Sequence, residues 1–243
     1  MNARTKSLFH FTRTLDNLKC ILREGFWPQY CLEDFTWLAG VIPRLALPMV
    51  SFCDIPLARS QAHAKRYGNY GVGLCRERWK ATGLNPILYV SSDSLLRDFL
   101  GEVLVSLGKS PNPRLRTGAM VLLGHCKPLE GSVEVEGEKT DFYSECEWRF
   151  IPWVERGKGK YGFFLTEDQF HNESIRKAAN QERRNDRMLD IVPGEIRHLL
   201  VNSDEDARNL TNFIDAEMKN YSREVLNVLK TRILALSHIQ ADF

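Results

Sequence analysis

The sequence predicts an α+β protein whose C-terminal part is helical. Short apolar runs of strand character are interleaved with stretches of helical spacing, and neither internal repeats nor low-complexity segments interrupt them. Hydrophobic residues make up 43% of the 243 positions and charged residues 26%, an ordinary globular mix that excludes a disordered or fibrous chain.

The opening segment reads strand, helix, glycine. SLFHFT (residues 7–12) has strand character, with His10 near its end. Leu15, Leu18, Ile21 and Leu22 then recur at helical spacing over residues 15–23, with Thr14 or Asp16 as cap and Gly25 as stop. Residues 26–48 are aromatic and broken by Pro28, Pro43 and Pro48, which predicts a long loop. PMVSFCDI (48–55) predicts a buried strand ended by Pro56. A helix over 58–67 carries Arg59, His63, Lys65 and Arg66, and a glycine-rich turn over 67–74 leads into another strand.

Residues 76–82 read as helical and 86–90 as strand. An amphipathic helix over 95–107 would put Leu96, Phe99, Leu100, Val103 and Leu107 on one stripe. Residues 119–126 and 133–135 predict strands, and so does FYSECEWRFIPW (142–153), where Glu145, Glu147 and Arg149 would share a side. A basic glycine-rich hairpin or loop over 157–162 comes next. The polar stretch 168–188 is a solvated helix or a connection. A strand over 196–201 and helices over 204–220 and 223–238 complete the chain. This divides it into a core domain, 1–165, and a charged connection with strand and helices, 166–243, packed on the same core.

Lys+Arg 33 against Asp+Glu 31 leaves a net charge of +2, too small for a general polyanion binder. No apolar stretch reaches the ~18–20 residues of a membrane span, and residues 1–14 lack the apolar run of a signal peptide. The six cysteines form neither C-x-x-C pairs nor a zinc pattern, which suits free thiols in the cytoplasm. P-loop, dinucleotide, nucleophile-elbow, zincin and kinase motifs are absent.

Polar residues on strands therefore hold the interest, because a plain core would exclude them: His10, Ser51, Asp54, Glu145 and Glu147. His10 stands between Phe9 and Phe11, so it either meets a ligand or is bonded within the core. Glu145 and Glu147 either carry chemistry or pair with an arginine such as Arg149. Tyr67 and Tyr70 flank the glycine turn, where a ring could stack on a planar ligand or simply pack.

Taken together these residues resemble the ADP-ribosyltransferase fold. LFHFT followed by LDNLKCILREG is similar to the opening of DarT-type toxins, and places His10, Thr12, Asn17, Leu18, Ile21, Leu22 and Gly25 on their pattern. A likeness over most of the chain is to the AbiGi group of abortive-infection proteins. It is carried by FCDIPL (52–57), His63, YGNYGVGL (67–74), NPILY (85–89), ECEWR (145–149) and the closing amphipathic helix. AbiGi is usually described as the antitoxin half of a two-gene phage-defence system.

The transferase resemblance implies a split β-sheet core binding NAD, and a carboxylate stabilising the ribosyl cation left by nicotinamide. It gives that role to Glu147, with Glu145 orienting the acceptor in an E-x-E pair. It gives His10 and Thr12 the adenosine ribose or nicotinamide amide, with Ser51 on the next strand, and Tyr70 or Tyr67 the nicotinamide ring. His10 stands where arginine-modifying relatives carry Arg, and Ser51-Phe52-Cys53 where they carry Ser-Thr-Ser. Three functions follow as expectations. One is an NAD-dependent transferase acting in phage defence on a nucleic-acid or protein acceptor. Another is a non-catalytic antitoxin or regulatory partner, binding a toxin through 168–188 or the C-terminal helix. The third is a metal-dependent nuclease built on Asp54, Glu145 and Glu147.

Overall fold

The structure, a computed structural model, describes residues 5–38, 42–132, 139–152, 160–184 and 189–242. The chain runs β1 Ser7–Thr12, α1 Leu15–Glu24, β2 Gln29–Glu33, β3 Leu45–Cys53, α2 Ser60–Tyr67, β4 Tyr70–Cys75 and α3 Arg76–Trp79. It continues as β5 Asn85–Pro86, β6 Leu88–Val90, α4 Leu95–Gly108, α5 Pro113–Gly124, β7 Cys126–Pro128, β8 Glu130–Ser132, β9 Lys139–Asp141 and β10 Glu147–Phe150. The last part holds β11 Leu165–Thr166, α6 Glu167–His171, α7 Glu173–Arg184, β12 Ile196–Val201, α8 Asp204–Glu217, α9 Arg223–Lys230, β13 Ile233–Ala235 and α10 Leu236–Asp242. Strands and helices are mixed, as the α+β reading expects.

These elements fall into two compact units, each built from separated stretches of chain. The first takes residues up to 26, 52–83 and those from 189 onward; the second takes 27–51 and 84–188. The sequence reading put a break at 165/166, whereas here residues from 189 onward return to the N-terminal stretch.

In the first unit β4 is the centre of an antiparallel group. It pairs with β1 from Ser7↔Cys75 to Thr12↔Tyr70 and with β12 at Leu199↔Val72. β13 joins β12 in parallel, at Leu200↔Leu234. Phe9, Cys53, Ile55, Ala64, Leu200 and Leu236 form a core cluster. Helix α1 buries Leu18 and Leu22, four apart on one face, and Thr14 caps it by accepting from the Asn17 amide. Gly68 ends α2 at φ +118, and a Cβ there would lie 2.2 Å from the Thr12 carbonyl oxygen. Gly68→Ala is accordingly expected to cost about 2 kcal/mol or more, read as a lowered urea midpoint, while Gly194→Ala, in open space, serves as the control. A loss below about 0.5 kcal/mol at Gly68 would contradict this geometry.

In the second unit β3 pairs with β2 at Tyr30↔Pro48 and with β11 at Leu165↔Ala46. Helices α4 and α5 enclose a cluster that includes Phe35, Leu38, Leu47, Leu104, Leu123 and Ile151. The predicted loop over 26–48 thus contains β2 and the start of β3. The predicted strand over 119–126 is mostly helix, because Asn112 caps it, Pro113 opens it, and Ala119 and Leu123 lie one turn apart on the buried face. The predicted stripe of α4 is corrected too: Leu100, Gly101 and Leu104 are buried, whereas Leu96 and Phe99 are 49% and 67% exposed.

Residues 168–188 hold α6 and α7, and α7 turns Ala179 and Arg183 inward. The single helix expected over 223–238 is α9, then β13, then α10, because the Ile233–Ala235 run is taken up beside β12. The predicted strand 133–135 and part of the predicted hairpin 157–162 lie outside the described residues. None of the six cysteines is in a disulfide, and no helix among the described residues is long and apolar enough to cross a membrane.

Candidate functional site

The second unit buries a cluster of opposite charges around Glu147. Phe142–Glu145 is a short 3₁₀ turn, and Cys146 follows in the left-handed region at φ 45. The strand begins only at Glu147, so the expected same-strand alignment of Glu145 with Glu147 does not occur. Lys127, on β7, joins them instead, its Nζ donating to Glu145 Oε2 at 2.8 Å and to Glu147 Oε2 at 3.1 Å.

Arg149 completes the cluster with its side chain 1% exposed. Its Nε and one terminal nitrogen donate to the two oxygens of Glu147 at 2.6 and 3.0 Å, a forked pair. The guanidinium also donates to Glu33 at 3.0 Å and to the Gly124 carbonyl at 2.8 Å. The Tyr89 hydroxyl accepts the Glu147 amide at 2.8 Å, and Ser51 hydrogen-bonds the Glu147 carboxyl. Burial alone would raise the carboxyl pKa of Glu147, but Arg149, Lys127 and the bonds from Arg149 and Ser51 outweigh it and hold the value at about 2. Arg149 is pinned as a cation in the same way: burial opposes its charge, and Glu147 and Glu33 overcome that. A carboxylate held by a guanidinium fork and an ammonium stays ionised at neutral pH, but both oxygens already have partners.

The other predicted residues lie in the first unit. The half-buried His10 ring packs edge-on to Phe26 at 4.9 Å and against Phe52 at 5.6 Å, within an aromatic cluster closed by Trp79. Thr12 Oγ1 accepts from the Asn17 side chain at 3.1 Å, which tightens the turn into α1. The Tyr67 ring packs on His63 at 5.2 Å, and the Tyr70 hydroxyl donates to Asp206 at 3.2 Å. Asp54 is held by Arg76 at 2.8 Å and Thr5 at 2.6 Å. Asp54 and the two glutamates therefore belong to different units, and among the described residues no three His, Cys, Asp or Glu side chains form a metal-binding group. The metal trio of the nuclease reading has no such grouping.

So the structure brings Ser51, Glu145 and Glu147 together in one unit and places His10, Thr12, Tyr67 and Tyr70 in the other. Sequence reasoning missed Glu33, Tyr89 and Lys127, which come from three other strands. Arg149 was legible as the residue two on from Glu147.

These features define an α+β protein with a largely buried cluster in which Glu33, Glu145 and Glu147 pair with Lys127 and Arg149. The family model described as "Putative abortive phage resistance protein AbiGi, antitoxin" matches residues 24–202, and the chain belongs to that family. It is 26% identical over 255 residues to the abortive phage resistance protein AbiGi of Lactococcus lactis subsp. cremoris, covering 90% of this chain and 100% of that protein. Neither match is described as an ADP-ribosyltransferase. No solved structure matches the chain.

Proposed function

We propose that this chain serves abortive phage resistance as an antitoxin, a non-catalytic partner that restrains a cognate toxin. The observation that carries this reading is the state of Glu147. To stabilise a ribosyl cation it would have to give up Arg149 or Lys127, leaving Arg149 with Glu33 alone or Lys127 with Glu145 alone as counter-charge. The family description points the same way. A partner surface is at hand as well: Leu95, Leu96 and Phe99 on α4 and Leu115 and Leu122 on α5 are exposed apolar side chains.

The test pairs this chain with the product of its neighbouring gene. Expression of that neighbour alone is expected to arrest growth, and co-expression of this chain to restore it. Phe99→Asp in this chain is expected to abolish the rescue while leaving its own melting temperature unchanged. Labelled NAD incubated with the pure protein and a bacterial lysate is expected to leave no transferred label. Growth arrest caused by this chain itself would overturn the antitoxin reading, and label transferred by it would overturn it in favour of an NAD-dependent transferase.

A further inference from the structure

The first unit contains a polar concavity, unrelated to the Glu147 cluster. It is a cavity of about 670 Å³ lined by Arg13, Gln61, Ala64, Lys65, Arg66, Gly68, Asn69, Tyr70 and Asn202. Three of these nine residues are cations, three are carboxamides and none is a carboxylate. The whole chain carries nearly balanced charge, 33 basic to 31 acidic residues, so three cations without an acid is a local segregation of charge. Arg13 and Lys65 are both exposed, and no carboxylate among the described residues is paired with either. Arg66 lies over the Tyr67 ring at 5.9 Å.

The walls are fixed by backbone. Gly68 is pressed onto the end of β1 so closely that a Cβ would meet Thr12 and Arg13 main-chain atoms at 2.2–2.5 Å. Asn69 donates through Nδ2 to Asn202 Oδ1 at 3.0 Å, which ties the turn before β4 to the residue after β12. Tyr70 is anchored through Asp206, which also accepts the Ser203 hydroxyl at 2.9 Å. The site thus presents cations, amide groups able to donate and accept, and one aromatic ring, Tyr70, on a preset frame.

We propose that this cavity binds the phosphates of a nucleotide, with Arg13 and Lys65 as the principal phosphate contacts. Cations neutralise phosphate oxygens, carboxamides hydrogen-bond sugar or base edges, and a tyrosine ring offers a stacking face, a combination that a plain anion does not need. A concavity of this size takes one or two nucleotides rather than the side of a duplex. The same chemistry is offered by a free nucleotide and by a single strand, and the test separates them.

Fluorescence anisotropy of labelled short oligothymidylate and oligouridylate would be measured with the full chain at several salt concentrations. Unlabelled ATP and inorganic pyrophosphate would serve as competitors. Wild type is expected to bind, and the doubly substituted Arg13→Ala/Lys65→Ala protein to bind at least about tenfold more weakly at low salt, with a log–log salt slope shallower by about 1.4. Lys177→Ala, which removes an ammonium paired with Glu173 at 2.6 Å in the second unit, is expected to bind like wild type. Displacement by ATP well below the equivalent concentration of strand identifies a free nucleotide; displacement by strand alone identifies nucleic acid. Pyrophosphate competing as well as ATP would mean that only the anion is read, and would overturn the nucleotide assignment. Absence of binding to every probe, or equal binding by the double variant with an unchanged melting curve, would overturn the site. None of these outcomes depends on whether the protein restrains a toxin.

Discussion

Glu147→Gln is expected to destabilise the protein by about 3–5 kcal/mol, because it leaves the buried Arg149 and the partly buried Lys127 without the carboxylate they share. In a chain of 243 residues that corresponds to a fall in melting temperature of about 10 °C. Gln preserves the shape of the side chain, so the loss reports charge rather than packing. Arg149→Lys is expected to be nearly as severe, since an ammonium cannot span both Glu147 oxygens while also reaching Glu33 and the Gly124 carbonyl. The cluster also sets a pH dependence. The folded pKa of Glu147, about 2, lies below its ordinary 4.5, so its ionised form favours the folded state. That contribution, about 3 kcal/mol, is fully present above roughly pH 5 and is lost as pH falls from 5 towards 2. Urea midpoints measured across that range should drop steeply for wild type and more gently for Glu147→Gln. Parallel curves would refute the assignment.

Trp79→Ala is expected to cost a further 3–5 kcal/mol in its own right. Trp79 is 1% exposed and closes the cluster with Phe26, at 5.7 Å, and Phe52, at 5.5 Å, against which His10 packs. Its indole nitrogen donates to Glu195 at 3.2 Å. Trp79→Phe keeps a ring but removes that donor, and should lose less, about 1–2 kcal/mol. Equilibrium unfolding of both variants gives the comparison directly. If Ala and Phe are equally tolerated, the ring cluster does not carry the first unit's core.

The sequence made some elements plain and hid others for identifiable reasons. SLFHFT, the α1 stripe and the IRHLLV strand are local signals, in which apolar period and cap agree, and they appear as expected. The apolar run of α5 mimics a strand and outweighs the Asn112-Pro113 start signal beside it. The Ile233–Ala235 strand was hidden inside a helical pattern, since its pairing with β12 is tertiary. At the site, the pairing of Glu147 with Arg149 was visible as one of two alternatives. The rest of the cluster was not, because Glu33, Tyr89 and Lys127 converge from other strands, and no spacing rule links residues 33, 89, 127 and 147.

The interleaving of the two units bears on how the polypeptide emerges from the ribosome. β4 has β1 on one side and β12 on the other, yet β12 lies more than 120 residues downstream of β4 in the chain. A nascent chain halted anywhere before residue 196 therefore carries β4 with an open edge, and its apolar Val72 and Leu74 lack the cover that Leu199 and Ile196 supply. Such an edge is a template for aggregation and for recognition by proteases. Activity and survival should thus arrive together and late, only once β12 has been made, and termination before it should yield prompt degradation rather than a partly working fragment.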